Sequence, residues 1–307
     1  MMIVARKSGR LGNRLFTFAH LLANAKEYNY TVLDPVFDEY ADYFVGTSQQ
    51  YLTGYPVGSL PGVRWPRKIL NYLLYSVCNP IRSDRIAWLH SCFHEALDLH
   101  HPATYPWKDT KYLDFVHHKV VITNGWVFWD HENVLKHVGF LREFFSLTPQ
   151  HTAIINDFQA KCRKSSPIVI GIHIRRGDYQ IAAGGVFFHD ISAYAELMQK
   201  MVSLFEVPPC FLVCSDEKLQ EKDFPGLSVV VGPGDAVLDM YSLAACDYIA
   251  GVPSTFSGWA SFYGQTPLYY IYDMSKALQE ISLQEFIPMN SFDHLDPTLR
   301  YQGREAK

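Results

Sequence analysis

The sequence predicts an α/β protein with a parallel sheet in its second half. Three observations carry that prediction. Continuous apolar runs occur at Ile168–Ile174, Phe211–Ser215, Leu227–Val231, Tyr248–Val252 and Leu268–Tyr272. Segments with helical spacing, Ser192–Phe205, Ala236–Ala245 and one starting near Ser257, fall between them. Apolar strands that alternate with helices belong to sheets covered on both faces. The third observation is length: 307 residues is about two domains at roughly 150 residues each.

Taken in order, Met2–Ala5 is an apolar run that suits a first strand. Gly9-Arg10-Leu11-Gly12-Asn13 follows as a turn, and an apolar-periodic helix is expected from Leu15 to Tyr28, capped by Asn13. Residues 35–115 are rich in Tyr, Pro and Trp and give no clear assignment. Within them the longest apolar stretch, Ile69–Cys78, suits a core helix better than one lying on a membrane surface. Lys119–Thr123 is a β-branched run ending at the turn signal Asn124-Gly125. His131–Phe145 has helical spacing. Thr148, as N-cap, and Pro149, in the first turn, open another helix reaching about Arg163. Lys164-Ser165-Ser166-Pro167 breaks that pattern. The domain boundary falls within 145–167, dividing the chain into 1–150 and 151–307.

Composition removes several classes. Apolar residues make up 48% and charged residues 19%, with a net charge of −4, so the chain is neither disordered nor a non-specific nucleic-acid binder. No run reaches the ~18 apolar residues of a membrane span, and no signal peptide is recognisable. Aromatics at 15% suit a large aromatic core more than a sugar-gripping surface. The six cysteines include no Cys-x-x-Cys pair and read as buried reduced thiols in a cytoplasmic protein. Cys92 between His90 and His94 has no second ligand cluster nearby and does not make a convincing metal site.

Open α/β sheets bind ligands at the carboxyl ends of their strands, so the residues after each run carry the chemistry. The first is followed by His173-Ile174-Arg175-Arg176-Gly177-Asp178-Tyr179. An arginine fork suits phosphate oxygens; Asp178 either orients one guanidinium or closes an internal ion pair. Asp216, after the second run, is an N-cap or a polar ligand contact. Gly232-Pro233-Gly234-Asp235 lacks the third Gly of a dinucleotide fingerprint; Asp235 caps the next helix. Asp239, one turn on, can accept the N–H groups of a guanine edge or stand solvated. Ser254, Thr255 and Ser257 surround a helix start, where hydroxyls, free amides and the helix dipole make a phosphate cradle. No Asp-x-Asp clamp, phosphate-binding loop with Gly-Lys-Ser/Thr, or Gly-x-Ser-x-Gly elbow occurs.

His173-x-Arg175-Arg176-x-Asp178 resembles the His-x-Arg-Arg-x-Asp motif of GDP-fucose-dependent fucosyltransferases. With Gly177, Tyr179, Gly9-x-Leu11-Gly12-Asn13-x-x-Phe16, Gly125-Trp126 and the stretch Asp239–Trp259, it looks most like the alpha-1,2-fucosyltransferase family, glycosyltransferase family 11. The resemblance implies a GT-B architecture, two Rossmann-like domains facing across a cleft, the second holding GDP-fucose. It implies inverting transfer of fucose to a galactoside hydroxyl of a glycan, without a metal or other cofactor and without nucleic acid. Arg175 would contact the diphosphate with Asp178 at the catalytic centre, and Arg176 would be more structural. His173, Asp216 and Asp239 would lie on the donor side, the latter near guanine with His173, and Ser254, Thr255 and Ser257 near the phosphates. Gly9, Gly12, Asn13 and Arg14 would line the acceptor side. The chain departs from the pattern at Arg14, where the family usually has Gln, and at Pro253 and Gly258, where it often has Asn and Trp. Gln180–His189 holds no acid, which leaves Asp178 and His189 as weak base candidates. Two alternatives stay open: another GDP-sugar donor, or a non-catalytic nucleotide-sugar or glycan-binding module. Peripheral contact with the inner membrane face is compatible with this reading, and oligomeric state is not encoded legibly.

Overall fold

A computed structural model of the chain describes residues 1–5, 7, 9–60, 62, 64–81, 110–123 and 130–289. The Asn124-Gly125 turn, the Gly125-Trp126 match and the His90–Cys92–His94 group lie outside the described residues. The described chain forms two compact units that divide between Thr148 and Pro149.

In the first unit the elements are β1 (Met2–Val4), α1 (Leu11–Tyr28), β2 (Val32–Leu33), α2 (Val45–Ser48), β3 (Gly54–Tyr55), α3 (Arg64–Ile81), α4 (Thr110–His118), β4 (Val121–Thr123), α5 (His131–Lys136) and α6 (Val138–Phe144). β1 is flanked in parallel by β2 and β4, and β3 pairs antiparallel with β2. Helix α1 begins earlier than the sequence suggests. Arg10 is its N-cap and makes no side-chain cap bond, so Asn13 lies inside the first turn rather than at its head. Gly9, at φ +64°, turns the chain directly into the helix, and a Cβ there would stand 2.0 Å from Asn13 Nδ2. Asn13 therefore packs over the turn. The helix expected over His131–Phe145 is two helices, α5 and α6. The break falls at His137, whose Nε2 is 2.8 Å from Glu27 on α1, and Gly139, a poor helix former, follows. Phe18, Phe37, Phe44 and Phe145 are fully buried, with ring centroids 5.1 to 6.0 Å apart, so many of the aromatics are core.

Helix α3 inverts the expectation of a core helix. Arg67, Asn71 and Cys78 face inward, while Trp65, Ile69, Tyr72, Leu73 and Val77 face outward. Arg67 donates from Nε to Asp38 at 2.7 Å, from Nη1 to the carbonyls of Thr47 and Ser48 at 3.2 and 3.0 Å, and from Nη2 to Asp42. Asn71 Nδ2 donates to Asp38 and Thr53, both at 3.0 Å. These donors meet all their partners only with the helix rotated this way. A buried ion must be paired, and that requirement outweighs the burial of the opposite stripe.

The second unit contains α7 (Pro149–Ser165), β5 (Val169–Ile174), α8 (Ile191–Val202), β6 (Cys210–Ser215), β7 (Val229–Val231), α9 (Ala236–Ala244), β8 (Tyr248–Gly251), α10 (Thr255–Gly264), β9 (Pro267–Tyr270), α11 (Met274–Glu280) and β10 (Ile287–Pro288). The sheet order is β10-β9-β8-β5-β6-β7, parallel except for β10. Between β6 and β7 the described chain forms a 3₁₀ turn, Glu221–Asp223, rather than a helix. The five described cysteines are buried free thiols. Among the described residues no helix is long and apolar enough to cross a membrane.

Replacing Arg67 with alanine would take the buried cation from Asp38 and the donor from the Thr47 and Ser48 carbonyls, while Asp42 kept Arg64 and Lys68. We expect a loss of about 3 kcal/mol in chemical denaturation, in the range for breaking a buried ion pair.

Candidate functional site

The central strand β5 sorts its side chains by parity. Ile170, Ile172 and Ile174 enter the apolar core built with Tyr194, Leu197, Met198 and Met201 of α8 and Met274 and Ala277 of α11. Gly171 and His173 point to the other face. A Cβ on Gly171 would press 2.7 Å from Leu243 of α9, and His173 Nδ1 lies 2.7 Å from Ser257 Oγ of α10. On the neighbouring strand a Cβ at Gly251 would come within 2.9 Å of both the His173 Cβ and its carbonyl oxygen and 3.3 Å from Ser257 Oγ, so glycine there leaves room for the close approach of β5 and the head of α10. The His173 ring also stacks on Phe256, centroids 4.5 Å apart. Burial, assisted by the charge of Arg175, lowers its pKa to about 3, so it is neutral at pH 7.

Immediately beyond the strand, Arg175 is clamped by Asp178, Nε to Oδ1 at 3.0 Å and Nη2 to Oδ2 at 2.7 Å. Its Cζ sits 4.5 Å from the centroid of Tyr179. The side chain is 16% exposed. Burial works against its charge, but the bonds and charge of Asp178 more than offset this, and its pKa is raised above the ordinary value. The internal ion pair left open by the sequence is thus present, yet it uses only one edge of the fork. Nη1 makes no hydrogen bond within the described residues. Tyr179 completes the link to the next loop: its hydroxyl donates to the Pro253 carbonyl at 2.7 Å.

Arg176 is committed elsewhere. Its Nε donates to Glu217 at 3.0 Å and its Nη1 to the His189 carbonyl at 2.8 Å, while its guanidinium stacks 4.5 Å over Phe188. Asp216 caps no helix. Its Oδ1 accepts from the backbone N–H groups of Arg176 and Gly177 at 2.9 and 3.4 Å and so holds the turn that carries both arginines. His189 packs its ring edge-on against Tyr194, and its pKa is lowered by burial.

The hydroxyls at the start of α10 divide their work. Ser254 is the N-cap, accepting from the Ser257 N–H at 3.2 Å, and it also stands 3.4 Å from His173. Ser257 is spent on His173. Both serines are buried, whereas Thr255 and Phe256 are half-buried. What faces outward is therefore narrower than three hydroxyls: the Thr255 side chain and the first amides of the helix, which have no intrahelical acceptor. Those amides and the helix dipole favour an anion.

Asp239 is 5% exposed, not solvated. It accepts from the Gly234 N–H at 2.9 Å, and burial raises its pKa to about 6, that hydrogen bond opposing the shift. Asp235 caps α9 as expected, accepting from Val237 and Leu238 at 2.9 and 3.0 Å. In the first unit, Gly9, Gly12, Asn13 and Arg14 gather at the β1–α1 turn. Arg14 folds back on that turn, Nε and Nη2 each 3.3 Å from the Gly9 carbonyl, and pairs with Glu39. Tyr179, matched in the sequence only as part of the motif, Phe256 and Glu217 are contributors to which sequence reasoning gave no role. Aromatic residues beside each cationic or hydroxyl motif were the only signal for the first two.

No family model and no curated protein matches this chain. Solved structures do. An Arabidopsis thaliana FUT1 mutant in complex with GDP aligns with a TM-score of 0.53 at 16% identity, covering 88% of this chain and 70% of that one. POFUT1 in complex with GDP aligns with a TM-score of 0.51 at 12% identity, over 88% of this chain and 97% of that one. The fucosyltransferase NodZ from Bradyrhizobium aligns with a TM-score of 0.50 at 16% identity, over 88% and 94%. The likeness is one of fold, the interleaved helices and parallel strands of the GT-B type.

A carboxylate with a raised pKa costs stability when ionised. Asp239→Asn should therefore make the protein more stable at pH 8 by up to about 3 kcal/mol. The advantage should persist down to about pH 6 and disappear towards the ordinary carboxylate range, where Asp239 is protonated in folded and unfolded chains alike. Thermal melts of both proteins across that interval check this.

Proposed function

We propose that the chain is an inverting, metal-independent glycosyltransferase that moves L-fucose from GDP-fucose to a galactoside hydroxyl of a glycan, forming an alpha-1,2 linkage. The observation that carries this reading is the half-used guanidinium of Arg175, held at the end of β5 and linked through Tyr179 and Pro253 to the amide-bearing start of α10. That arrangement suits a diphosphate. The motif His173-x-Arg175-Arg176-x-Asp178 and the fold shared with structures described as fucosyltransferases, two of them in complex with GDP, support the choice of donor.

In this mechanism the bond between the fucose anomeric carbon and the β-phosphate oxygen breaks, and both its electrons stay on the phosphate. Arg175 Nη1, the Thr255 hydroxyl and the amides of α10 receive that charge. Donors aimed at charge that develops during reaction act chiefly on the transition state. The galactoside oxygen attacks the opposite face of the sugar, forms the new bond to the anomeric carbon and releases its proton to solvent. Asp178, with both oxygens on Arg175, is a positioning residue rather than a base. Arg176, Asp216 and His173 hold the loops. Asp239 accepts from the guanine edge while it is ionised.

A screen of GDP-fucose against β-galactoside acceptors, read by mass spectrometry, should give a fucosylated product, with the rate unchanged by EDTA. GDP-mannose as the only active donor, or GDP binding with no transfer, would overturn the assignment. Arg175→Ala should lower kcat by ~10²–10³ with a smaller effect on GDP affinity. Arg175→Lys should recover little, because the planar fork is lost. Near-normal turnover in Arg175→Ala would exclude this site.

The affinity for GDP should fall as pH drops through about 6, because protonated Asp239 no longer accepts from guanine. Calorimetry on the wild type and Asp239→Asn tests this: the variant should bind weakly and show no such pH dependence.

A further inference from the structure

We propose that the outer face of α3 is a membrane-docking surface that seats the first unit on the interfacial region of a lipid bilayer. Trp65, Ile69, Tyr72, Leu73 and Val77 each expose between 54% and 75% of their surface. Their spacing of four, three, one and four residues puts them on a single helix face, over roughly 18 Å of helix. The opposite face, Arg67, Asn71, Leu74 and Cys78, follows the same period inward. Leu74 and Cys78 pack with Ile3, Ala5, Leu33 and Ile122. Arg67 is 0% exposed and bonded to Asp38, Asp42 and two carbonyls. Helix α3 cannot roll to hide its apolar stripe without pulling a guanidinium off all four acceptors. The stripe is therefore a fixed outward feature.

Three observations favour a bilayer as the occupant. The first is chemistry: a tryptophan and a tyrosine among aliphatic side chains is the mixture that water–lipid interfaces select. The second is charge. The helix contains Arg64, Arg67 and Lys68 and no acid. Around Asp42 stand Arg64 at 2.8 Å, Lys68 at 3.9 Å and Arg67, so with Asp38 two acids face three cations. The excess positive charge lies beside Trp65, with Arg64 and Lys68 reaching solvent, where anionic headgroups would meet them. The third is area. A strip one helix wide and about three turns long falls short of the ~800 Å² per partner that a standard protein–protein interface buries, whereas shallow insertion into a headgroup layer needs only such a strip. Nothing about the donor or the acceptor enters this proposal.

Vesicle sedimentation with the full chain tests it. Wild type should sediment with phosphatidylcholine vesicles containing phosphatidylglycerol, and less with phosphatidylcholine alone. Ile69→Asp combined with Leu73→Asp should reduce the bound fraction on the order of tenfold, while Ile287→Asp, at an exposed apolar position of the second unit, should leave it unchanged. Brominated lipids should quench part of the tryptophan fluorescence, and the conservative variant Trp65→Phe, which keeps the fold, should lose that part. The proposal fails if wild type ignores both vesicles. It also fails if Ile287→Asp weakens binding as much as the α3 variant. It fails too if ultracentrifugation reveals a dimer that the α3 substitutions abolish, since the face would then pair with a second copy.

Discussion

A guanidinium at the carboxyl end of a buried strand must keep its charge, its direction and some free donors, and the second unit is arranged around that demand. Asp178 takes two N–H groups from one edge of Arg175, which secures charge and direction. Tyr179 lies against the guanidinium face and anchors the loop to Pro253. Asp216 holds the backbone of the turn from below, and Arg176 spends its own fork on Glu217 and the His189 carbonyl. Of two adjacent arginines, one is consumed as structure so that the other can remain partly unspent.

Two buried ionisable groups of the second unit follow the same logic in reverse. His173 gives up its charge, which keeps a second cation away from the guanidinium, and its neutral ring ties β5 to the head of α10. Asp239 keeps a carboxylate where water is scarce and has one backbone amide for compensation. Under the proposed function that cost to stability is the counterpart of donor binding.

The first unit applies a buried charge differently. Arg67 sets the rotation of α3, and through it the direction of an apolar stripe that propensity and periodicity alone would have sent into the core. The helix is amphipathic in the ordinary sense, but its polar side is internal. A polar side chain with all its donors bonded can be buried cheaply, whereas a stranded one cannot.

The sequence alone determined much of the second unit: its parallel strands, the helices between most of them, the cap at Asp235, and the cluster after the first strand. Periodicity, apolar runs and capping residues act within a few residues of one another, so they are legible in one dimension. It placed Arg175 beside Asp178 for the same reason, since the two are three residues apart. Only the tertiary structure decided that Ser254 and Ser257 turn inward to His173, that Asp216 serves the turn and not a helix, that Asn13 packs over Gly9, and that α3 faces outward. Each depends on a partner distant in sequence, or on the space left by a missing Cβ. Which hydrogen-bond donors remain unspent is known only once every other partner is in place.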